Sequence, residues 1–439
     1  MGSYVPTSAA ERAEMLKSIG VSSIRDLYSN VPADMLLPEN ALNIPEGCSE
    51  LEASQKMNAM ADKNIVFKTI LRGAGAYNHY IPAIVKSVTS KEQLVTAYTP
   101  YQAEISQGIL QSIFEYQTMI CSITGMDVSN ASVYDGASAT AEAVAMCRER
   151  KRNVVYLSEG LNPEYVKVVK TYCYGSGVPV VMVPLKDGKT DIEALKASFT
   201  PEAACFVVQQ PNFYGVYEDA VALGEATHAA GAKYVMNCNP IALAITKTPA
   251  ECGADVAVGE GQSLGMPISF GGPYLGFMAA KSAMARKLPG RIVGQTEDRE
   301  GKRGFVLTLQ AREQHIRREK ASSNICSNQA LCALTAAVYM SAMGEVGMKK
   351  AAVNSMSKAH YLASELTKID GIELVYNSEF FHEFTTTLPK CDEVLLALEN
   401  NGILGGYKTE NGVIWCVTEV VTKAELDKAV EIIKEVLAK

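Results

Sequence analysis

The sequence has no C-x-x-C pair: its 11 cysteines stand singly at 48, 121, 147, 173, 205, 238, 252, 326, 332, 391 and 416. That spacing excludes a dithiol redox motif, and an odd count in a chain of 439 residues argues against a disulfide framework, so reduced thiols are expected. Only 5 histidines occur, at 79, 228, 315, 360 and 382, with no i, i+4 pair and no cysteine or carboxylate at ligand spacing, so no metal is expected. Long runs of one charge sign are absent. With 41 Lys and Arg against 48 Asp and Glu, the net charge of −7 disfavours a nucleic-acid or anionic-membrane surface. The longest apolar stretch, Ala330 to Met343, is broken by Thr335 and Ser341 and falls short of the roughly 20 residues a bilayer needs, so a buried helix is expected. No basic and apolar leader opens the chain and Pro6 spoils a myristoylation pattern, which makes the cytoplasm the expected location. Neither G-x-x-x-x-G-K-[ST] nor G-x-S-x-G occurs, which removes the P-loop and serine-hydrolase readings.

What is present is a composition of 48% hydrophobic and 20% charged residues, enough for a large core in two or three domains. Residues 1–70 read as an arm of short helices (Ala9 to Ile19, Ile24 to Leu27) followed by a stretch marked by Pro32, Pro38 and Pro45. In 71–330 short apolar runs alternate with amphipathic ones. The expected strands are Ala131–Tyr134, Asn153–Leu157, Val178–Pro184, Ala204–Gln209, Lys233–Asn237, Asp255–Val258 and Tyr274–Ala279; the helices between them are Ala137–Cys147, Pro163–Cys173, Asp191–Phe199 and Asp219–Ala230. Crossovers of that length pair strands in parallel, so a mostly parallel seven-stranded sheet covered on both faces is expected. Residues 331–439 read as a small α+β domain. Its expected elements are helices at Ser357–Lys368, Asp392–Asn400 and Lys423–Leu437 and strands near Ile372–Tyr376, His382–Thr387 and Val413–Thr418.

Gly73-Ala74-Gly75 begins like a dinucleotide fingerprint but lacks a preceding strand and a third glycine, so it reads as a turn. Asp135-Gly136-Ala137-Ser138, where a strand turns into a helix, reads equally as a helix capped by Asp135 or as a phosphate cup. That turn heads an α/β segment followed by a small α+β domain, which suggests the aminotransferase-like architecture, fold type I of the pyridoxal phosphate enzymes. Such a site needs a lysine for the cofactor's imine and a carboxylate at the pyridine nitrogen. The expected positions hold Gln262 and Asn237 instead. Lys247 and Lys281, the nearest amines, lie before the strand and beyond the Gly271-Gly272-Pro273 turn.

One stretch is distinctive: Thr96-Ala97-Tyr98-Thr99-Pro100-Tyr101-Gln102-Ala103-Glu104-Ile105-Ser106-Gln107-Gly108, continuing through Phe114-Glu115-Tyr116-Gln117-Thr118. It closely resembles the P-protein of the glycine cleavage system. So do the segments from Gly73 to Pro82, Asn130 to Gly136, Ser269 to Tyr274 and Arg317 to Gln329, and the resemblance runs from about residue 4 to the C-terminus. The family occurs as one long chain or as two subunits, and this length resembles subunit 1, the alpha subunit. The resemblance implies a glycine decarboxylase: glycine loses its carboxylate as carbon dioxide, and the aminomethyl group passes to the oxidised lipoyl arm of the H-protein. It also implies an α2β2 assembly whose pyridoxal phosphate is covalently held by subunit 2, which makes Gln262 and Asn237 expected departures.

In such a dimer, Tyr98, Thr99, Tyr101, Gln102, Ser106 and Gln107 are the expected contribution in trans to the substrate or cofactor pocket, since phenols, hydroxyls and amides bind a carboxylate or phosphate without adding charge. The plainer reading makes Tyr98 and Tyr101 interface anchors. His79 reads either as a pocket residue or as a local hydrogen-bonding histidine, and Arg317 and Arg318 either as an anion clamp or as a solvated pair. Asp135, Gly136, Ala137 and Ser138 are expected to form a residual phosphate loop. Two other readings stand beside the decarboxylase subunit: a scaffold that only stabilises subunit 2, and a stand-alone pyridoxal phosphate enzyme using an unexpected lysine.

Overall fold

The computed structural model describes residues 7–38, 41–45 and 47–438. The chain divides into two compact units, Met1–Val66 and Phe67–Lys439. In the first, α1 (Ala9–Ser18) and α2 (Glu50–Ala61) are each opened by a reciprocal capping box, Ser8 with Glu11 and Ser49 with Glu52. No described residue of this unit is buried, and Met35 and Ile44 are each 73% exposed. Local caps, not a core, shape these helices.

The second unit is built on a seven-stranded sheet. Its strands are β1 (Val128–Ser129), β2 (Val154–Ser158), β3 (Val180–Val183), β4 (Ala203–Gln210), β5 (Lys233–Cys238), β6 (Val256–Glu260) and β7 (Gly276–Ala280). They lie in the order β1-β7-β6-β5-β4-β2-β3; β7 runs antiparallel to β6 and β1, and the other pairs are parallel. The period of two along each strand feeds two cores. Tyr156, Phe206, Tyr234, Met236 and Phe277 point to one face and Val155, Leu157, Val207, Val235 and Met278 to the other. The first face is covered by α3 (Gln107–Thr124), α6 (Ala220–Ala229) and α7 (Ala330–Leu366), the second by α4 (Gly136–Cys147) and α5 (Pro163–Gly175).

The expected mostly parallel sheet is present, with local differences. The run Ala131–Tyr134 is not a strand: Ser132 adopts φ 105, the chain bends, and Val133 makes only an isolated bridge to Gly276. The sheet instead takes up Val128–Ser129. The helical stretch ending at Met343 and the one near 357–368 belong to a single element, α7, interrupted at Gly344 (φ 57, ψ −177). Residues such as Cys332, Ala336 and Tyr339 bury its apolar stretch before that break in the core.

Toward the C-terminus, β8 (Glu383–Thr386), β9 (Tyr407–Thr409) and β10 (Gly412–Cys416) form an antiparallel sheet in the order β8-β10-β9. Helices α8 (Cys391–Asn400) and α9 (Lys423–Leu437) pack against it around Trp415, whose indole N–H donates to Thr386 at 2.9 Å. The strand expected near Ile372–Tyr376 is reduced to an isolated bridge between Leu374 and Thr386.

Candidate functional site

In a sheet of this type ligands bind in the crevice beyond the carboxyl ends of the parallel strands. There Asp135 caps α4 by accepting from the Ser138 N–H at 2.7 Å. The Gly136 N–H, one of the free donors at the helix start, donates to Glu260 Oε2 at 2.9 Å. The other oxygen of Glu260 accepts from the N–H groups of Gln262 and Leu275, each at 2.9 Å. Burial pushes the Glu260 carboxyl up to about 7 against the pull of these donors.

Asn237, the last residue but one of β5, donates to Thr140 Oγ1 of α4 at 2.8 Å. Gln262, two residues beyond β6, is 1% exposed. Its amide accepts from the Tyr77 N–H at 2.8 Å and donates to the carbonyls of Tyr77 at 3.0 Å and Met266 at 2.7 Å. The segment around Tyr77 thus crosses the carboxyl edge; the Ala74 carbonyl accepts from Asn162 Nδ2 at 3.3 Å, and further contacts go to Glu383 of the C-terminal sheet and to Glu419 just beyond it. The Ala74 N–H and the Tyr77 hydroxyl donate to Glu383, at 2.7 and 2.8 Å. His79 Nδ1 lies 2.6 Å from Glu419, which also accepts from the Tyr80 N–H at 2.7 Å. Burial opposes charge on Glu419, yet the hydrogen bonds from His79 and Tyr80 outweigh it and hold the carboxyl below its ordinary value. Burial raises Glu383 to about 7, and burial with His79 nearby drives His382 well below the usual imidazole range. His79 is therefore buried and tied to a carboxylate at the joint between the two sheets.

The Tyr98 to Gln107 segment splits in two. Tyr98 is 99% exposed, Gln102 is exposed and Thr99 is half-buried. Tyr101 instead lies half-buried under Arg291, whose guanidinium is 5.2 Å from the ring centre. Ser106 is buried at the start of α3, with its hydroxyl on the Thr99 carbonyl at 3.3 Å. Gln107 clamps the hairpin of Val293–Glu297 and Arg303–Leu307, donating to Phe305 O at 2.9 Å and accepting from Phe305 N–H at 2.8 Å. Arg317 and Arg318 are exposed; Arg318 lines a cavity of about 240 Å³ with Glu142, Arg148 and Ser323.

These residues do not fit pyridoxal phosphate on this chain. The helix N-terminus is taken by Glu260, and a Cβ built on Gly136 would come within 2.6 Å of the Tyr165 hydroxyl and 2.9 Å of Glu260. Lys281 is held by the Gly253 carbonyl and Asp255 at the opposite end of β6, and Lys247 belongs to the turn entering the strand from that side. Among the described residues no group of three or more His, Cys, Asp or Glu is arranged to hold a metal ion.

Residues 2–433 match the glycine cleavage system P-protein family. The chain belongs to that family. A probable glycine dehydrogenase (decarboxylating) subunit 1 from Moorella thermoacetica is 46% identical over 444 aligned positions, covering 99% of this chain and all of the relative. A crystal structure of a P-protein glycine decarboxylase in inhibitor-bound form superposes with a TM-score of 0.92 at 40% identity, over 99% of this chain and 100% of that one. A Burkholderia pseudomallei sphingosine-1-phosphate lyase shares the fold at a TM-score of 0.68 and 12% identity, covering 90% of this chain and 92% of that one. The P-protein chain described here accordingly has the aminotransferase-like fold type I.

Sequence reasoning placed Gln262 and Asn237 at this edge but assigned no role to Glu260, Glu383 or Glu419. The one local signal was a carboxylate set between Gly259 and Gly261, two positions ahead of Gln262.

Proposed function

We propose that this chain is subunit 1 of a two-subunit glycine decarboxylase, acting with subunit 2 as an α2β2 assembly in the cytoplasm. Together the subunits release the carboxylate of glycine as carbon dioxide and pass the aminomethyl group to the oxidised lipoyl arm of the H-protein. In this reading subunit 2 carries the pyridoxal phosphate covalently, and the cofactor supplies the electron sink for decarboxylation. This chain completes the site, with Tyr98, Thr99 and Gln102 free to reach substrate or phosphate across the interface and to exclude water there. The division into an arm (1–70), a large domain (71–330) and a small domain (331–439) belongs to the same reading.

Gln262 carries the proposal. A buried amide bound three ways to backbone stands where this fold calls for the cofactor's lysine, and an amide cannot form an imine. A scaffold role is the second reading, favoured by Tyr101, Ser106 and Gln107, which spend their polar or aromatic groups on their own chain.

The deciding experiment purifies the chain alone and together with subunit 2, each incubated with pyridoxal phosphate. Alone it is expected to show no borohydride-reducible absorbance; the pair is expected to show that absorbance and glycine-dependent bicarbonate exchange. A reducible absorbance on the isolated chain would establish a self-sufficient enzyme instead.

A further inference from the structure

We propose that Glu260 is a built-in anion: its carboxylate occupies the place a phosphate would take at the start of α4 and closes this chain to phosphate and pyridoxal phosphate. Three N–H donors from three separate segments converge on it: Gly136 from the helix start, Gln262 from the turn after β6, and Leu275 from the entry to β7. Such a convergence at the positive end of a helix is a ready-made anion site. Here the chain satisfies it with its own side chain, reaching across 124 residues of sequence.

Two further observations point the same way. The space over Gly136 is filled, since even one added carbon there would meet Tyr165 and Glu260. Asp135 adds a second carboxylate at the same cup, occupied in capping Ser138, so an incoming phosphate would face two negative groups at close range. The Tyr165 hydroxyl stands beside the same cup, 2.6 Å from where a Cβ on Gly136 would lie. Burial in this confined place raises the Glu260 carboxyl to about 7, so the built-in anion is present above that pH and is weakened by protonation below it.

The inference concerns this chain's own cup. Its failure would leave the partner's role untouched, because co-purification with subunit 2 tests that role separately.

Titration calorimetry of the purified full chain with inorganic phosphate and with pyridoxal phosphate at pH 8 tests it. Wild type is expected to give no binding heat through millimolar ligand, and folded Glu260→Ala to bind phosphate at least tenfold more tightly. Phosphate binding by wild type, or a folded Glu260→Ala chain with no gain, would overturn the proposal. The Gly136 amide resonance of wild type provides a readout independent of the variant's folding. It is expected to follow the titration of Glu260 and to stay still when phosphate is added. A phosphate-induced shift of that resonance would also overturn the idea.

Discussion

Gln262 and Tyr77, 185 positions apart, are joined by a reciprocal pair of hydrogen bonds: the Tyr77 N–H donates to the amide oxygen and the amide nitrogen donates to the Tyr77 carbonyl. Both backbone groups of a segment that crosses the sheet edge are thereby satisfied away from water. The side chain pins that segment to the end of β6, while Tyr77 and His79 pin it to Glu383 and Glu419.

Removing the amide strands the groups it serves. Gln262→Ala is expected to cost about 2–4 kcal/mol, since a buried donor or acceptor left unpaired costs roughly 1–3 kcal/mol. Urea unfolding of the purified chain measures it. A loss within about 0.5 kcal/mol, the range of an ordinary surface change, would contradict the pinning role. Gln262→Lys is expected to destabilise the chain as well and to yield no borohydride-reducible absorbance, because the cup at α4 stays filled.

Glu383 makes stability depend on pH. Its carboxyl is raised from 4.5 to about 7 by burial, so the folded state holds the proton more tightly than the unfolded state. The stabilisation is complete below pH 4.5 and is lost as pH rises through about 7. A shift of that size corresponds to at most about 3 kcal/mol. Glu383→Gln is expected to flatten this fall between pH 5 and 8 while keeping an acceptor for the Ala74 N–H. An unchanged slope in urea unfolding across that range would assign the dependence elsewhere.

Tyr98 separates a site role from a scaffold role. With its side chain in solvent, Tyr98→Phe is expected to leave the isolated chain's stability within about 0.5 kcal/mol. In the complex with subunit 2 it is expected to lower glycine-dependent exchange severalfold with assembly intact by sedimentation. Unchanged kinetics in a properly assembled complex would favour the scaffold.

Gln107 is expected to act locally. Its amide both donates to and accepts from Phe305, so Gln107→Ala removes a clamp on the 293–307 hairpin at a cost of about 1–3 kcal/mol. Hydrogen exchange is expected to quicken at Phe305 and its neighbours while the central strands β4 and β5 keep their protection.

Much of the fold was legible because side-chain period and crossover length leave few choices. Alternation along Phe206–Val208 and Tyr234–Met236 required a sheet with two covered faces, and the intervening helices required parallel pairing. The bend at Ser132 was not legible, since a left-handed serine inside an apolar run gives no local signal. The site was legible only in part. Composition and position made Asn237 and Gln262 unsuited to a covalent cofactor, and the motif from Tyr98 to Gln107 stood out by itself. That Tyr98 faces solvent while Gln107 grips a hairpin is a matter of packing.

By itself, then, the sequence determined the layered α/β architecture and the absence of a lysine after β6, since periodicity and residue type are local properties. Only the tertiary structure decided that Glu260 fills the cup at Gly136, that Gln262 answers Tyr77, and that Glu383 is buried beneath Ala74. Those pairings join residues more than a hundred positions apart, and what places them is the convergence of strand ends and crossing segments at one sheet edge.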